Sequence, residues 1–186
     1  EIASCLVGSE MCIRDSRLSM PFDERDRIAP ARLAPVIDRA LAAGLHIPVV
    51  NGNTGEFYAL TVDEAETMCA QVCGMVAGRA PVLAGVGRSV GDACRLARAA
   101  AGAGAAGLMV HQPPDPFVSP RGVVDYVHRV ADAGGGLPLM LYLRNDAIGT
   151  AAIADLCAIP GVIGVKWATP NPCLLYTSDA ADERSS

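Results

Sequence analysis

Apolar and polar positions along the chain switch repeatedly between a helical period and short continuous apolar runs. Residues 30–44, PARLAPVIDRALAAG, place apolar side chains at helical spacing and end on a glycine, which predicts an amphipathic helix with a C-terminal cap. Residues 45–50, LHIPVV, are apolar and partly β-branched and are bounded by the turn residues Asn51 to Gly55, which predicts a strand. The alternation then recurs. Residues 60–78 predict a helix opened by a capping box, Thr61 standing three residues before Glu64. Strands are predicted at 80–85, 106–112, 137–143 and 162–168, with helices at 90–104, 119–134 and 149–161. Residues 17–23, RLSMPFD, read as the end of one more strand.

Strands alternating with helices imply βαβ units, a parallel sheet and right-handed crossovers. The strands are apolar on both faces, as expected where helices cover a sheet or a barrel closes on itself. The expected fold class is α/β, and the strand-like runs fit roughly the first six strands of a (β/α)8 TIM barrel. A barrel of that kind takes eight strands and ~250 residues, so two strands are expected to be missing.

Both ends read as foreign to this pattern. The segment EMCIRDS near the start and the segment CLLYTS, residues 173–178, can be encoded by one DNA string in opposite orientations. That string and its continuation DAADE resemble the transposase adapters used to build sequencing libraries, and such scars are set aside in fold reasoning. The expected organisation is thus an adapter-derived segment at 1–16, a partial (β/α)8 barrel at 17–172, and a second adapter-derived segment at 173–186.

Composition narrows the function. The net charge of −5 and only eight aromatic residues leave neither a basic footprint nor a stacking platform, so no nucleic-acid partner is expected. No window reaches the ~18–20 consecutive apolar residues of a membrane helix, so no membrane partner is expected and the protein reads as cytoplasmic. Seven cysteines occur without a CxxC or a histidine-containing ligand spacing, which argues for small buried thiols in a reducing compartment and against a metal site.

Lys166 is the one lysine among fifteen basic residues, and it follows the apolar run Val162 to Val165. An ammonium carried to the end of an apolar strand loses hydration, which favours the neutral, nucleophilic amine that forms a Schiff base with a ketone. The bland alternative is a surface lysine whose stem covers apolar neighbours. Two other stretches weigh against it. Gly52, Asn53, Thr54 and Gly55 follow the strand at 45–50, where backbone N–H groups and the Thr54 hydroxyl can hold a carboxylate. Tyr142 lies near a strand end one βα unit before Lys166, where a phenol can relay the protons of imine formation.

The ordered segments GNTGE, PVLAGVG, LYLRN and IPGVIGVKWA resemble the dihydrodipicolinate synthase and N-acetylneuraminate lyase superfamily, the class I pyruvate-type aldolases. The resemblance implies that Lys166 is the Schiff-base lysine, Tyr142 the catalytic tyrosine, and Thr54 with Gly55 the cradle of a 2-keto acid carboxylate. It also implies a homotetramer for the complete protein and neither a metal nor an organic cofactor. The chain departs from dihydrodipicolinate synthases in having Asn53 in place of the first of two threonines and HQPPDPF, residues 111–117, in place of paired tyrosines. It also lacks their later arginine. Arg144 instead stands two residues after Tyr142, a pattern similar to the 5-dehydro-4-deoxyglucarate dehydratases, which act on sugar acids. A guanidinium there can grip a second carboxylate or sugar hydroxyls in bidentate fashion.

The expected function is a Schiff-base-forming lyase of the class I aldolase type acting on a 2-keto acid or sugar acid. Three alternatives remain: a 5-dehydro-4-deoxyglucarate dehydratase proper, a non-catalytic truncated fragment, and a dinucleotide-binding α/β domain suggested by Gly85, Gly87 and Gly91. His111, at a predicted strand end, reads equally as a substrate contact, a general base or a packed histidine. Asp115, between prolines, reads first as a turn residue.

Overall fold

In the computed structural model, residues 15–114 and 117–168 are described. The segments expected to be adapter-derived lie outside them, apart from Asp15 and Ser16, and so does Asp115. Six parallel strands form one sheet in sequence order: β1 (Asp15–Arg17), β2 (Ile47–Val50), β3 (Leu83–Val86), β4 (Gly107–His111), β5 (Leu139–Leu143) and β6 (Val162–Trp167). Between them run α1 (Ala34–Ala42), α2 (Val62–Val76), α3 (Val90–Gly102), α4 (Pro120–Ala133) and α5 (Gly149–Cys157). Each helix packs against the next, α1 on α2 through α4 on α5. A dinucleotide-binding sheet reverses its strand order at a switch point. The order here is sequential throughout the described residues, as in a (β/α) barrel, and excludes that alternative.

Helix ends follow their sequence signals. The Thr61 side chain accepts from the Glu64 backbone N–H while the Glu64 carboxylate accepts from the Thr61 N–H, which completes the predicted capping box of α2. Gly44, with φ of +81°, follows α1 where only glycine adopts that backbone freely. The predicted helix at 30–44 is less regular than expected, because Pro30–Leu33 form a tighter 3-10 turn before α1 begins. The strand expected at 17–23 also differs. Its ladder is Asp15–Arg17 against Ile47–Val49, and the chain then turns at Asp23, whose carboxylate accepts from the Arg25 and Arg27 backbone N–H groups.

Alternation along the strands sorts side chains into two layers. Val50, Ala84, Val86, Leu108, Val110, Leu139, Leu141 and Leu143 face the helices in the main core. Val49, Leu83, Met109 and Tyr142 form a separate inner cluster, with Ile47, Met140 and Ala168 packed on it. Strands β2 to β5 are apolar on both faces because both faces are covered, whereas Ile163 of β6 is exposed. Of the four described cysteines, all free, Cys69 and Cys94 are buried as expected of small apolar side chains, whereas Cys157 is exposed near the end of α5.

Candidate active site

The inner layer changes character at the C-terminal ends of the strands. Register pairs His111 of β4 with Tyr142 of β5 and Tyr142 with Lys166 of β6, so three chemically active side chains form one row across adjacent strands. All three are buried: His111 is 0 % exposed, Tyr142 6 % and Lys166 4 %. The Lys166 Nζ lies 5.9 Å from the centroid of the Tyr142 ring. The Arg144 guanidinium, on an exposed residue just past β5, lies 5.7 Å from the same ring and 5.5 Å from that of Tyr58. The Lys166 Nζ and the Arg144 guanidinium therefore both lie close to the Tyr142 ring.

His111 sits deeper. Its ring stacks on Phe57 at 5.0 Å and meets Tyr142 and Tyr58 edge-on at 5.5 and 6.0 Å. Neither ring nitrogen has a hydrogen-bond partner among the described residues. Burial, followed by the nearby Arg144 guanidinium, holds its pKa down at about 4, so the imidazole is neutral at physiological pH; the Asn51 backbone opposes that shift only in part. Room for the ring comes from the glycines of GVG. A Cβ on Gly87 would stand 3.0 Å from the His111 Cβ and 3.1 Å from the Phe57 ring. This close packing accounts for Gly85 and Gly87 of the glycine pattern that suggested nucleotide binding.

The GNTGE segment takes its place after β2. Asn51 adopts a left-handed backbone, φ of 56°, and its buried side-chain amide donates to the Ala65 carbonyl at 2.9 Å. Asn53, Thr54 and Gly55 form a 3-10 turn. Gly55 is buried, and a Cβ there would overlap the Leu18 carbonyl oxygen, so the turn is seated against the segment leaving β1. Thr54 is exposed and Asn53 half-buried. Phe57 and Tyr58, just beyond this turn, link it to the row on β4 to β6 through the rings that pack on His111. The carbonyls of Phe57 and Leu60 accept from the Arg88 guanidinium, which holds the loop from the β3 side.

Of the expected site residues, the structure thus gathers Lys166, Tyr142 and Arg144 around one ring and sets Asn53, Thr54 and Gly55 on the adjoining loop. Phe57, Tyr58, Asn51 and Gln112 were not singled out from the sequence. Asn51 had a signal, since asparagine at a strand end favours the left-handed turn that it adopts; the others depend on contacts between distant segments. Burial raises the pKa of the Tyr58 phenol, whose hydroxyl is buried without a partner among the described residues. No group of three His, Cys, Asp or Glu side chains among the described residues is placed to hold a metal ion, and no described helix is long and apolar enough to cross a membrane.

Comparison with known proteins agrees with the fold. The model of the dihydrodipicolinate synthetase family matches residues 16–178. A 4-hydroxy-tetrahydrodipicolinate synthase of Xanthomonas axonopodis pv. citri is 37% identical over 161 residues, 83% of this chain and 53% of that protein. A probable 5-dehydro-4-deoxyglucarate dehydratase 1 of Streptomyces coelicolor is 36% identical over 131 residues, 70% of this chain and 41% of that protein. Among solved structures, the dihydrodipicolinate synthase of Oceanobacillus iheyensis superposes with a TM-score of 0.84 at 32% identity, over 90% of this chain and 56% of that one. The chain spans about half the length of the curated relatives it matches. The family match covers most of the chain, which therefore belongs to the dihydrodipicolinate synthetase family.

Proposed function

We propose that the protein carrying this chain is a Schiff-base-forming lyase acting on a 2-keto acid. The observation that carries the reading is the pairing of a buried Lys166 with Tyr142, Nζ at 5.9 Å from the phenol ring, at the C-terminal ends of adjacent strands. The Lys166 amine adds to the ketone carbon of the substrate. The carbinolamine then loses its hydroxyl as water, with a proton delivered through the Tyr142 phenol, and leaves a protonated imine. The imine withdraws electrons from the neighbouring carbon, and a carbon–carbon bond or a C–H bond breaks there. The Thr54 hydroxyl and the Asn53–Thr54 backbone N–H groups hold the substrate carboxylate, on a turn that Gly55 closes by donating its N–H to the Gly52 carbonyl at 2.9 Å.

Arg144 favours a substrate with polar groups at its far end. Its guanidinium rests on Tyr58 and Tyr142, a position from which it can pair with a second carboxylate or with sugar hydroxyls. A dehydratase acting on a sugar acid is the second reading, and this arginine is what supports it. On either reading the enzyme needs no cofactor, works as a homotetramer and resides in the cytoplasm, and the native segment of this chain is 17–172.

Trapping tests the chemistry. The full-length protein is incubated with pyruvate, reduced with borohydride, digested and weighed; the peptide holding Lys166 is expected to gain the mass of the reduced adduct, and the Lys166→Ala protein to gain none. A folded protein that binds pyruvate without such an adduct removes the Schiff-base reading.

A further inference from the structure

The carboxamide of Gln112 is spent on neither the core nor solvent. Gln112 is 5 % exposed and stands directly after β4. Its backbone N–H extends the ladder by donating to the Tyr142 carbonyl at 3.0 Å. Its side-chain oxygen then accepts two backbone N–H groups from the neighbouring chain, Arg144 at 2.8 Å and Asn145 at 2.9 Å. The β5 ladder ends at Leu143, so these two amides belong to the loop that leaves the sheet. A single oxygen accepting from two consecutive amides fixes the path of that loop where a strand partner has run out.

We infer that Gln112 is a positioning residue for Arg144, and through it a determinant of which 2-keto acid the site prefers; the inference rests on the reading of Arg144 given above. Long arginine side chains lose affinity steeply when their anchor shifts, because a bidentate grip requires both the direction and the distance of the guanidinium to be set. Here the direction comes from the faces of Tyr58 and Tyr142, and the distance from the backbone atoms that Gln112 holds. The sequence places Pro113 immediately after it, so the chain past β4 has a restricted path and the carboxamide is presented from a stiff segment.

The test separates this role from the Schiff-base chemistry. In the full-length protein, Gln112→Met keeps the side-chain length but removes the acceptor, and Gln112→Glu keeps an acceptor for both amides. Steady-state kinetics use a six-carbon 2-keto acid with a carboxylate at its far end, and borohydride trapping uses pyruvate. Gln112→Met is expected to raise KM for the dicarboxylic acid about ten-fold while Lys166 is trapped with pyruvate as in the wild type, and Gln112→Glu to stay within about three-fold of it. Arg144→Leu is expected to match Gln112→Met, and the double variant to be no worse than either, as for two residues acting through one contact. If Gln112→Met leaves KM unchanged while Arg144→Leu raises it, the positioning role is wrong and the reading of Arg144 stands. If neither changes KM, both are wrong. If Gln112→Met does not fold, the glutamate variant decides: a ten-fold rise in KM with normal trapping overturns the inference.

Discussion

Gly85 of β3 leaves open the space that His111 of β4 occupies: a Cβ on Gly85 would stand 3.0 Å from the His111 Nε2 and would overlap the Asn51 carbonyl oxygen. The two residues come from adjacent strands, and Asn51 from the strand on the other side, so a glycine here keeps three strands in register at the barrel mouth.

Gly85→Ala is therefore expected to destabilise the protein by at least the ~1–3 kcal/mol typical of an overfilled core, because the obstructing atom is backbone and cannot rotate away. Gly74→Ala, on a helix where an added Cβ meets nothing, serves as the control. Denaturant midpoints compare the two, and equal midpoints would contradict the packing described.

The buried imidazole predicts an acid-sensitive stability. The His111 pKa falls from 6.5 to about 4 on folding, so the unfolded chain binds the proton more readily between those values. The stability that depends on the neutral ring is complete above pH 6.5 and is lost as pH falls towards 4. The loss amounts to about 3 kcal/mol, since each ten-fold difference in proton affinity between the folded and unfolded chain is worth about 1.4 kcal/mol. His111→Phe, which keeps a ring against Phe57, is expected to flatten this part of the profile and to gain relative stability near pH 4. Unfolding free energy measured from pH 4 to 7 checks it; parallel profiles for the two proteins would refute the assignment.

Tyr142 is expected to act on proton transfer more than on binding. Tyr142→Phe retains the ring over which Lys166 and Arg144 lie and removes only the hydroxyl. The turnover number should drop ~10²–10⁴-fold, the usual contribution of a positioned acid or base, with little change in KM. Borohydride trapping with pyruvate should still reach Lys166, only more slowly.

The α2 capping box offers a test away from the site. Thr61→Ala removes the acceptor for the Glu64 N–H and is expected to cost ~1 kcal/mol, read from the denaturation midpoint, with no effect on trapping.

Much of this was legible in residue order. The alternation of periods gave five strands and five helices close to where they lie, and Thr61, Glu64 and Gly44 marked helix ends, because caps and periodicity act over three or four neighbouring residues. Lys166 and Tyr142 could be singled out because each lies near the end of an apolar strand, and Arg144 through the resemblance to the 5-dehydro-4-deoxyglucarate dehydratases. The start of the chain was read less well: Pro21 and the Asp23 turn interrupt what looked like a strand, and the ladder lies earlier, at Asp15–Arg17.

How these segments meet is settled in three dimensions. Sequential strand order and a common register put His111, Tyr142 and Lys166 in one row, and folding carries Tyr58 beneath Arg144 across 86 positions of chain. The same contacts show His111 as a buried neutral ring, the GVG glycines as space for it, and Gln112 as the anchor of the β5 loop. None of these leaves a periodic trace in the sequence. Local propensity depends on neighbours along the chain, whereas burial, electrostatic surroundings and hydrogen-bond partners depend on neighbours in space, which only the packing of sheet and helices brings together.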